Sequence, residues 1–359
     1  MNYSYWLSNI PGIGIRSRNR MLKLAGSAEM IYHMPEKQLL LLPGITEKQV
    51  KSLVESRRKD YETPFHRLTE KGISFVSRED ASFPEKLKQI PDAPYSLYFK
   101  GKLPEQREKS IAVVGTRHCS SYGSMVAQKL GKRLAECHVQ VISGMAQGID
   151  AESHWGTLKG DGKTYAVLGC GVDICYPACH GKLYDHILEK GGIISEYPPG
   201  MKPLPQLFPA RNRIISGLSD VIVVVEAKDR SGSLITADYA LEQGKDIYAV
   251  PGRLYDTLSA GCNALIRQGA GMISSVDDFL KELELWVETK EKQEETEKLL
   301  LAKDESMVYS CLSLQPKGMA ELLEETGLGL PQMVEILAGM VQKGYIIETV
   351  KNYYIRKVE

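Results

Sequence analysis

Short apolar runs alternate with longer amphipathic stretches between residues 110 and 280. Three to five consecutive apolar residues are typical of strands buried on both faces, and their alternation with helical patterns predicts parallel βαβ units. In the stretch 124–137, Val126, Leu130 and Leu134 recur every four residues and share one helix face. The predicted fold class is therefore α/β, with a doubly wound, mostly parallel sheet. The predicted strands are 111–114, 139–142, 165–168, 192–194, 221–225 and 247–250.

A small all-α domain is predicted for residues 1–80, ahead of the sheet domain at 81–280. The sequence IPGIG from Ile10 is echoed by LPGI from Leu42, and each is followed by a helical pattern. A glycine turn between two helices presents backbone amides to a phosphate, as in helix-hairpin-helix modules. Three arginines beyond the first turn are candidate phosphate contacts; in the alternative interpretation they are solvated side chains of a packed helical domain. These arginines are Arg16, Arg18 and Arg20.

The region after the sheet divides into a charged segment and a small terminal domain. Residues 281–305 are rich in Lys and Glu, which predicts a linker or a bridging helix. In 306–359 the order helix, turn, helix and hairpin predicts a winged-helix-like domain. Its second helix, 331–343, has Lys343 as its only base, so contact with a DNA major groove and contact with a protein both remain open.

Composition narrows the class of protein only slightly. The chain has 359 residues, 43% of them apolar, and 45 basic side chains balance 45 acidic ones. A net charge of zero neither indicates nor excludes nucleic acid, because local grouping of charge decides affinity. Seven cysteines, an odd number, suggest reduced thiols. With neither a leader pattern nor a run of about 20 apolar residues, we expect a cytoplasmic protein without a membrane span.

Glycine-centred turns follow several of the predicted strands. Glycine lets a backbone approach a ligand closely, and amides at a helix start attract anions. The sequence therefore predicts a phosphate-binding edge of the sheet, with Arg117 as a countercharge and Ser120 as a helix cap. The candidate contacts in these turns are Gly115, Thr116, Arg117, Ser120, Gly144, Gly148, Ser231, Gly232, Ser233 and Thr236.

The segment from Phe208 to Arg213, with sequence FPARNR, brings an aromatic ring, two guanidinium groups and an amide together. Arginine matches phosphate oxygens with paired donors, and an aromatic face stacks on a base. Phe208, Arg211, Asn212 and Arg213 are therefore predicted contacts for single-stranded nucleic acid. The alternative is that one arginine pairs with a buried acid such as Glu196 or Glu226 and orders a loop.

Other chemistries lack a complete set of residues. The turn at Gly115 is not G-x-G-x-x-G and no P-loop is present, so no nucleotide cofactor is expected. Cys170, Cys175, Cys179 and His180 could suggest a zinc site, but their spacing is not C-x-x-C, and no metal is expected. Asp150 and His154, one helical turn apart, are either an acid and base or a capping carboxylate and a packed imidazole. We expect no catalytic residue.

The motifs GTRHCSSYG, SGMAQGIDAESH, GCGVDICYP, ISEYPPG, FPARNRIISGLSD and SGSLITADYALEQGKDIYAVPG together resemble those of the DNA-processing protein A (DprA/Smf) family over about 83–280. The resemblance implies an extended Rossmann-like domain that binds single-stranded DNA. It also implies flanking sterile-alpha-motif-like or helix-hairpin-helix and winged-helix-like domains. The implied function is to protect incoming DNA and help load the RecA recombinase in natural transformation and recombination.

The resemblance also bears on individual residues and partners. Gly115 and Arg117 match the family's G-x-R turn, and FPARNR matches its F-x-x-R-N-R segment. Where many relatives have a basic residue and an asparagine, this chain has Ala178-Cys179-His180, and Lys182 is the candidate substitute. RecA, single-stranded DNA-binding protein and a second copy of the chain are the implied partners.

A second hypothesis is an enzyme. The sheet resembles more remotely that of nucleoside-monophosphate phosphoribohydrolases, whose P-G-G-x-G-T-x-x-E motif supplies a catalytic glutamate. The corresponding SGSLITADY segment has Asp238 near that position but lacks the double glycine. The binding function is therefore favoured over hydrolysis.

Overall fold

The computed structural model describes residues 1–287, 303–313 and 315–357, which divide into two compact units. The first unit is Met1–Val287 and the second Glu288–Glu359. Most of the predicted 281–305 linker lies outside the described residues.

A nine-stranded sheet forms the centre of the first unit. Its spatial order is β1-β2-β6-β5-β4-β3-β7-β8-β9. The pairs β1–β2 and β2–β6 are antiparallel, and all other pairs are parallel. The strands are β1 (Ser74–Ser77), β2 (Ser96–Gly101), β3 (Ser110–Val114), β4 (Gln140–Ser143), β5 (Thr164–Val167), β6 (Gly192–Ser195), β7 (Val221–Val224), β8 (Asp246–Ala249) and β9 (Gly271–Met272).

Strand β3 shows why the central strands are continuously apolar. Its alternate residues belong to two different cores: Ala112 and Val114 pack into one, and Ile111 and Val113 pack into the other. Because neighbouring side chains of a strand point to opposite faces, both faces of the sheet are covered. The six strands predicted from sequence are confirmed with small shifts at their ends, and the Rossmann-like fold class is confirmed.

Helices cover the sheet and form the N-terminal region. Fourteen lie in the first unit, together with a single 3₁₀ turn at Ala178–His180. They are α1 (Tyr3–Ser8), α2 (Ile15–Ala25), α3 (Ala28–His33), α4 (Glu36–Leu39), α5 (Glu47–Ser56), α6 (Glu62–Glu70), α7 (Glu85–Lys88), α8 (Ser121–Glu136), α9 (Ile149–Lys159), α10 (Gly181–Lys190), α11 (Leu207–Leu218), α12 (Gly232–Glu242), α13 (Ala260–Arg267) and α14 (Val276–Glu282).

The N-terminal helices pack around Trp6, which is fully buried and donates its indole N–H to Ser56 Oγ at 2.8 Å. Arg18 belongs to this packing. Its guanidinium donates to the backbone oxygens of Leu7, Ser8 and Ile13. These bonds occupy the side chain, so the phosphate contact predicted for Arg18 is replaced by a structural role.

The stretch 82–102, ahead of the first strand predicted from sequence, contains strand β2. This strand is bordered by antiparallel neighbours and follows the proline-containing segment that ends at Pro94. The residues of β2 change from buried at Ser96 to exposed at Gly101. Its sequence, SLYFKG, accordingly mixes polar and apolar residues and lacks the continuous apolar pattern of the central strands. No helix of the described residues is long and apolar enough to cross a membrane.

In the part of the second unit that the structure describes, three helices accompany a three-stranded sheet of order β10-β12-β11. Its core contains Val308, Leu322, Met333 and Leu337. Helix α15 begins at Lys303, within the segment predicted as a linker. The charged sequence KDE forms its first turn. The elements are α15 (Lys303–Cys311), β10 (Lys317–Gly318), α16 (Met319–Thr326), α17 (Leu330–Gln342), β11 (Ile346–Val350) and β12 (Tyr353–Arg356).

One buried histidine makes stability depend on pH. His154 is fully buried on α9, with Nδ1 2.6 Å from Thr164 Oγ1, so it is the packed imidazole of the two alternatives. Burial lowers the pKa of His154 to about 3. Between the pKa of about 6.5 of an unfolded histidine and the lowered value in the folded chain, only the unfolded chain binds this proton. The free energy of unfolding therefore falls on acidification, by up to about 1.4 kcal/mol per pH unit.

We predict that His154→Gln reduces this dependence. Urea unfolding at two pH values between about 3 and about 6.5 should show a smaller loss of unfolding free energy in the variant than in the wild type. The exposed His66→Gln is the control and should keep the wild-type slope. An unchanged slope in His154→Gln would show that the imidazole is not excluded from protonation by burial.

Candidate nucleic-acid interface

A pocket of about 440 Å³ lies at the carboxyl ends of β3 and β7. Strand β3 pairs with β4 on one side and with β7 on the other. The strand order therefore runs in one direction from β3 to β6 and in the opposite direction from β7 to β9. Crevices at such a switch point are where ligands bind in open α/β sheets. Most predicted site residues line this pocket, which we term the switch-point pocket: Gly115, Thr116, Arg117, Phe208, Arg211, Asn212, Ser231, Gly232, Ser233 and Thr236.

The FPARNR segment is helical, as the first part of α11, and not the loop that one interpretation assumed. Helical spacing explains which of its residues reach the pocket. Phe208, Arg211, Asn212 and Ile215, at positions i, i+3, i+4 and i+7, share one helix face and all line the pocket. Arg213 lies off this face and is absent from the described lining.

Arg211 is a buried part of the pocket wall. Its guanidinium donates to the backbone oxygens of Gly144, at 2.8 Å, and Val167. The neighbouring Asp150 is also buried and accepts from the amides of Gly144 and Ala146 at 3.2 and 3.4 Å. Burial raises the pKa of the Asp150 carboxyl, and the charge of Arg211 opposes this rise. Arg211 thus ties α11 to the ends of β4 and β5.

Arg213 forms an ion pair with Glu196, and both side chains are largely buried. Burial raises the pKa of Glu196, while the charges of Arg213 and Arg18 lower it. The alternative in which one arginine pairs with a buried acid is therefore confirmed for Arg213. The predicted phosphate contact of Arg213 is corrected to a structural one.

Ser120 is also occupied internally. Its amide donates to a carboxylate oxygen of Glu226 at 2.9 Å, and its hydroxyl donates to the other oxygen of that group. The hydroxyl also accepts from the amide of Gly123 at 3.0 Å, as the predicted cap of α8. Since the buried Glu226 places a negative charge at this helix N-terminus, the phosphate contact predicted for Ser120 is corrected as well.

Gly144 and Gly148 are required by packing within the protein. A Cβ on Gly144 would lie 2.5 Å from the Arg211 guanidinium. Gly148 has φ of +75° and a Cβ there would lie 2.4 Å from the backbone oxygen of Thr116. Neither glycine is in the described lining. Both glycines therefore support the wall of the pocket, and their contact with a phosphate stays a prediction.

Exposed groups at the pocket are available to a ligand. The Arg117 guanidinium carbon lies 5.7 Å from the centroid of the Phe208 ring, and Arg117 is exposed. The ring of Tyr176, 41% exposed, lies 5.3 Å from the Phe208 ring at 32°. The exposed Lys228 also lines the pocket. These groups provide positive charge beside aromatic faces.

Sequence reasoning missed Tyr176 and Lys228. Tyr176 precedes the cis-proline Pro177 within GCGVDICYP, and only the fold brings its ring to Phe208. Lys228 follows β7 by four positions, so its place after a predicted strand was a usable signal.

The start of α12 contributes hydroxyls. Ser231 is the N-cap and accepts from the Ser233 amide at 3.4 Å, while the two hydroxyls lie 2.8 Å apart. The Asn212 amide donates to the backbone oxygen of Gly232 at 3.3 Å, which joins α11 to α12. Thr236 lies one turn further into the helix and is buried.

The remaining candidates lie outside the described lining of the pocket. Lys182 is exposed on α10. Arg16 has a side chain 85% exposed and lies 3.4 Å from Asp92, and the exposed Arg20 donates to Gly44 oxygen at 3.4 Å. Asp238, the carboxylate of the enzyme hypothesis, is exposed on α12 and also outside this lining.

The fold and pocket define a Rossmann-type protein with a polar, partly cationic site at the switch point of its sheet. Residues 74–284 match the model of the family described as DNA recombination-mediator protein A. The chain belongs to this family.

Named relatives agree with this assignment. The chain is 45% identical to DNA processing protein DprA of Streptococcus pneumoniae over 57% of its own length and 72% of the relative's. It is 35% identical to Protein Smf of Synechocystis, over 78% of its own length and 72% of that protein.

Two solved structures are similar in fold. DprA of Streptococcus pneumoniae has a TM-score of 0.70 and 35% identity, covering 79% of this chain and 98% of that one. DNA processing protein A of Helicobacter pylori, whose structure is described in terms of its single-stranded DNA binding mode, has a TM-score of 0.53 and 28% identity. The alignment covers 59% of this chain and 95% of that one.

The two arginines of the pocket should differ in their effect on stability. Arg211→Met leaves two backbone oxygens without their donor and removes a charge beside the buried Asp150, which should cost about 3–5 kcal/mol. Arg117→Ala removes an exposed side chain and should change stability by less than about 0.5 kcal/mol. Chemical denaturation measures both. Equal stabilities of the two variants would contradict the structural role of Arg211.

Proposed function

We propose that the switch-point pocket binds single-stranded DNA. The observation that carries this proposal is the exposed Arg117 guanidinium over the ring of Phe208, with Tyr176 beside it. A strand offers phosphates to the cation and unpaired base faces to the rings. In a duplex the paired bases are stacked on each other, so duplex DNA binds less well.

Charge at the mouth of the pocket supports phosphate binding. Arg117 and Lys228 are exposed and line the cavity, whereas Asp150, the acid in its described lining, is buried beside Arg211. An incoming phosphate meets the cations first. The hydroxyls of Ser231 and Ser233 supply further hydrogen bonds to phosphate oxygens.

The binding mode sets the selectivity. Contacts to phosphates and to the faces of bases do not distinguish one base from another, so affinity depends weakly on sequence. It depends strongly on salt, because each neutralised phosphate releases counterions.

Membership of the recombination-mediator family supports a wider role within this proposal. As a recombination mediator, the protein protects incoming single-stranded DNA and assists loading of the RecA recombinase in recombination and natural transformation. Within this proposal it acts as a homodimer, so two pockets engage one long strand and raise avidity. Single-stranded DNA-binding protein is a further partner, and the activity is binding without catalysis.

We predict that the double variant Arg117→Ala with Lys228→Ala binds labelled oligothymidine more weakly and with less salt dependence. Loss of two phosphate contacts should lower affinity at least about tenfold and reduce the slope of log K against log salt by about 1.4. Fluorescence anisotropy across a salt series measures both quantities.

The control is Arg107→Ala. Arg107 is exposed and lies just before the amino-terminal end of β3, whereas the switch-point pocket lies at the carboxyl end of this strand. Loss of the Arg107 side chain should therefore change binding little. If the control and the double variant weaken binding alike, or neither does, the strand does not occupy the switch-point pocket.

A further inference from the structure

A second cavity of about 450 Å³, which we term the α6 pocket, lies where helix α6 meets the loop after β6. Its lining combines two tyrosines, Tyr5 and Tyr61, with Pro198 and Pro199 of that loop. Tyr5 is buried, and Tyr61 is partly exposed. The α6 pocket therefore has aromatic groups in its wall, and none of the residues predicted from sequence to bind phosphate lines it.

Three cations surround the α6 pocket: Lys59, Arg67 and Lys71, all exposed. Lys71 lies 4.0 Å from Asp173, whereas the structure describes no ion pair within 4.0 Å for Lys59 or Arg67 among the residues it covers. The charge of Arg67 does contribute, after hydrogen bonds from Thr63, to lowering the pKa of the Asp60 carboxyl. Asp60 is the acid in the described lining. Its carboxylate already accepts from two backbone amides at the start of α6, at 2.9 and 3.1 Å. The pocket thus has an excess of positive charge.

This chemistry suits a nucleotide. Arginine and lysine bind phosphate oxygens, and a tyrosine ring offers a face to a base. An acidic peptide shares the attraction to the cations but has no flat base to stack on Tyr61. The combination of cations with aromatic groups favours nucleic acid over an acidic protein segment.

The loop between β6 and α11 connects the two pockets. Pro198 and Pro199 line the α6 pocket, and Pro205, six residues later, lines the switch-point pocket. Six residues of extended chain span at most about 20 Å, which bounds the separation between the two ends of this loop. At the spacing of about 3.4 Å per nucleotide of a stacked strand, this distance corresponds to about six nucleotides.

We propose that the α6 pocket is a second subsite for single-stranded DNA, occupied by nucleotides of the same strand that fills the switch-point pocket. This inference rests on the proposed function of the switch-point pocket. Lys59 and Arg67 bind backbone phosphates there, and Tyr61 supports a base. The strand follows the loop after β6 from one pocket to the other.

Anisotropy with labelled oligothymidines of increasing length, from about 4 to about 24 nucleotides, tests this subsite. The variant is Lys59→Ala with Arg67→Ala. Its matched control is Lys37→Ala with Lys48→Ala, which removes two exposed charges from the same helical region. Arg117→Ala is measured in parallel, and poly-glutamate serves as an acidic competitor.

We expect the Lys59/Arg67 variant to match the wild type on the shortest strands and to bind the longest about tenfold more weakly. The Lys37/Lys48 control should follow the wild type at every length. The subsite is overturned if the variant also follows the wild type throughout, or if it loses the same factor at every length. Displacement of long strands from the wild type by poly-glutamate as effectively as by unlabelled oligothymidine would contradict the preference of the α6 pocket for nucleic acid. Failure of the proposed function would instead appear as undiminished binding by Arg117→Ala at all lengths.

Discussion

The buried guanidinium of Arg211 is the contact on which the arrangement of the switch-point pocket depends. It bonds the backbone oxygens of Gly144, after β4, and Val167, at the end of β5, and it lies beside the Asp150 carboxylate. These bonds fix the rotation of α11 about its own axis. With that rotation fixed, Phe208 and Asn212 face the pocket and Arg213 faces Glu196.

Internal carboxylates occupy anion-binding positions that sequence motifs alone would assign to a ligand. Glu226 binds the amide at the start of α8, Asp150 binds amides after β4, and Glu196 pairs with Arg213. Buried carboxylates are retained when they are paired or hydrogen-bonded, so these acids and their partners belong to the protein's own structure. The positive charge left for a phosphate belongs to the exposed Arg117 and Lys228. The buried charged side chains of the pocket wall therefore stabilise the fold, and the exposed cations at the mouth of the pocket can bind a ligand.

The sequence predicted the sheet well because strands covered on both faces are continuously apolar, as β3 and β7 are. It did not predict α11, since Pro209 suggests a break; yet this proline lies in the first turn, where its missing N–H removes no helical bond. It also could not separate Arg211, Arg213 and Arg117 by role. The role of each arginine depends on contacts between residues that are distant along the chain. Examples are the ion pair of Arg213 with Glu196 and the contact of Tyr176 with Phe208, which form only in the folded state.

Photocrosslinking tests most directly whether a strand lies against the rings of the switch-point pocket. Oligothymidine that carries a photoreactive thymine analogue is bound to the full chain, irradiated and mapped by peptide mass spectrometry. Our account predicts adducts on the partly exposed Phe208, which lies beside Arg117, or on the exposed Tyr176, whose ring lies beside that of Phe208. Adducts confined to the second unit, with none in the peptides that contain these two rings, would contradict it.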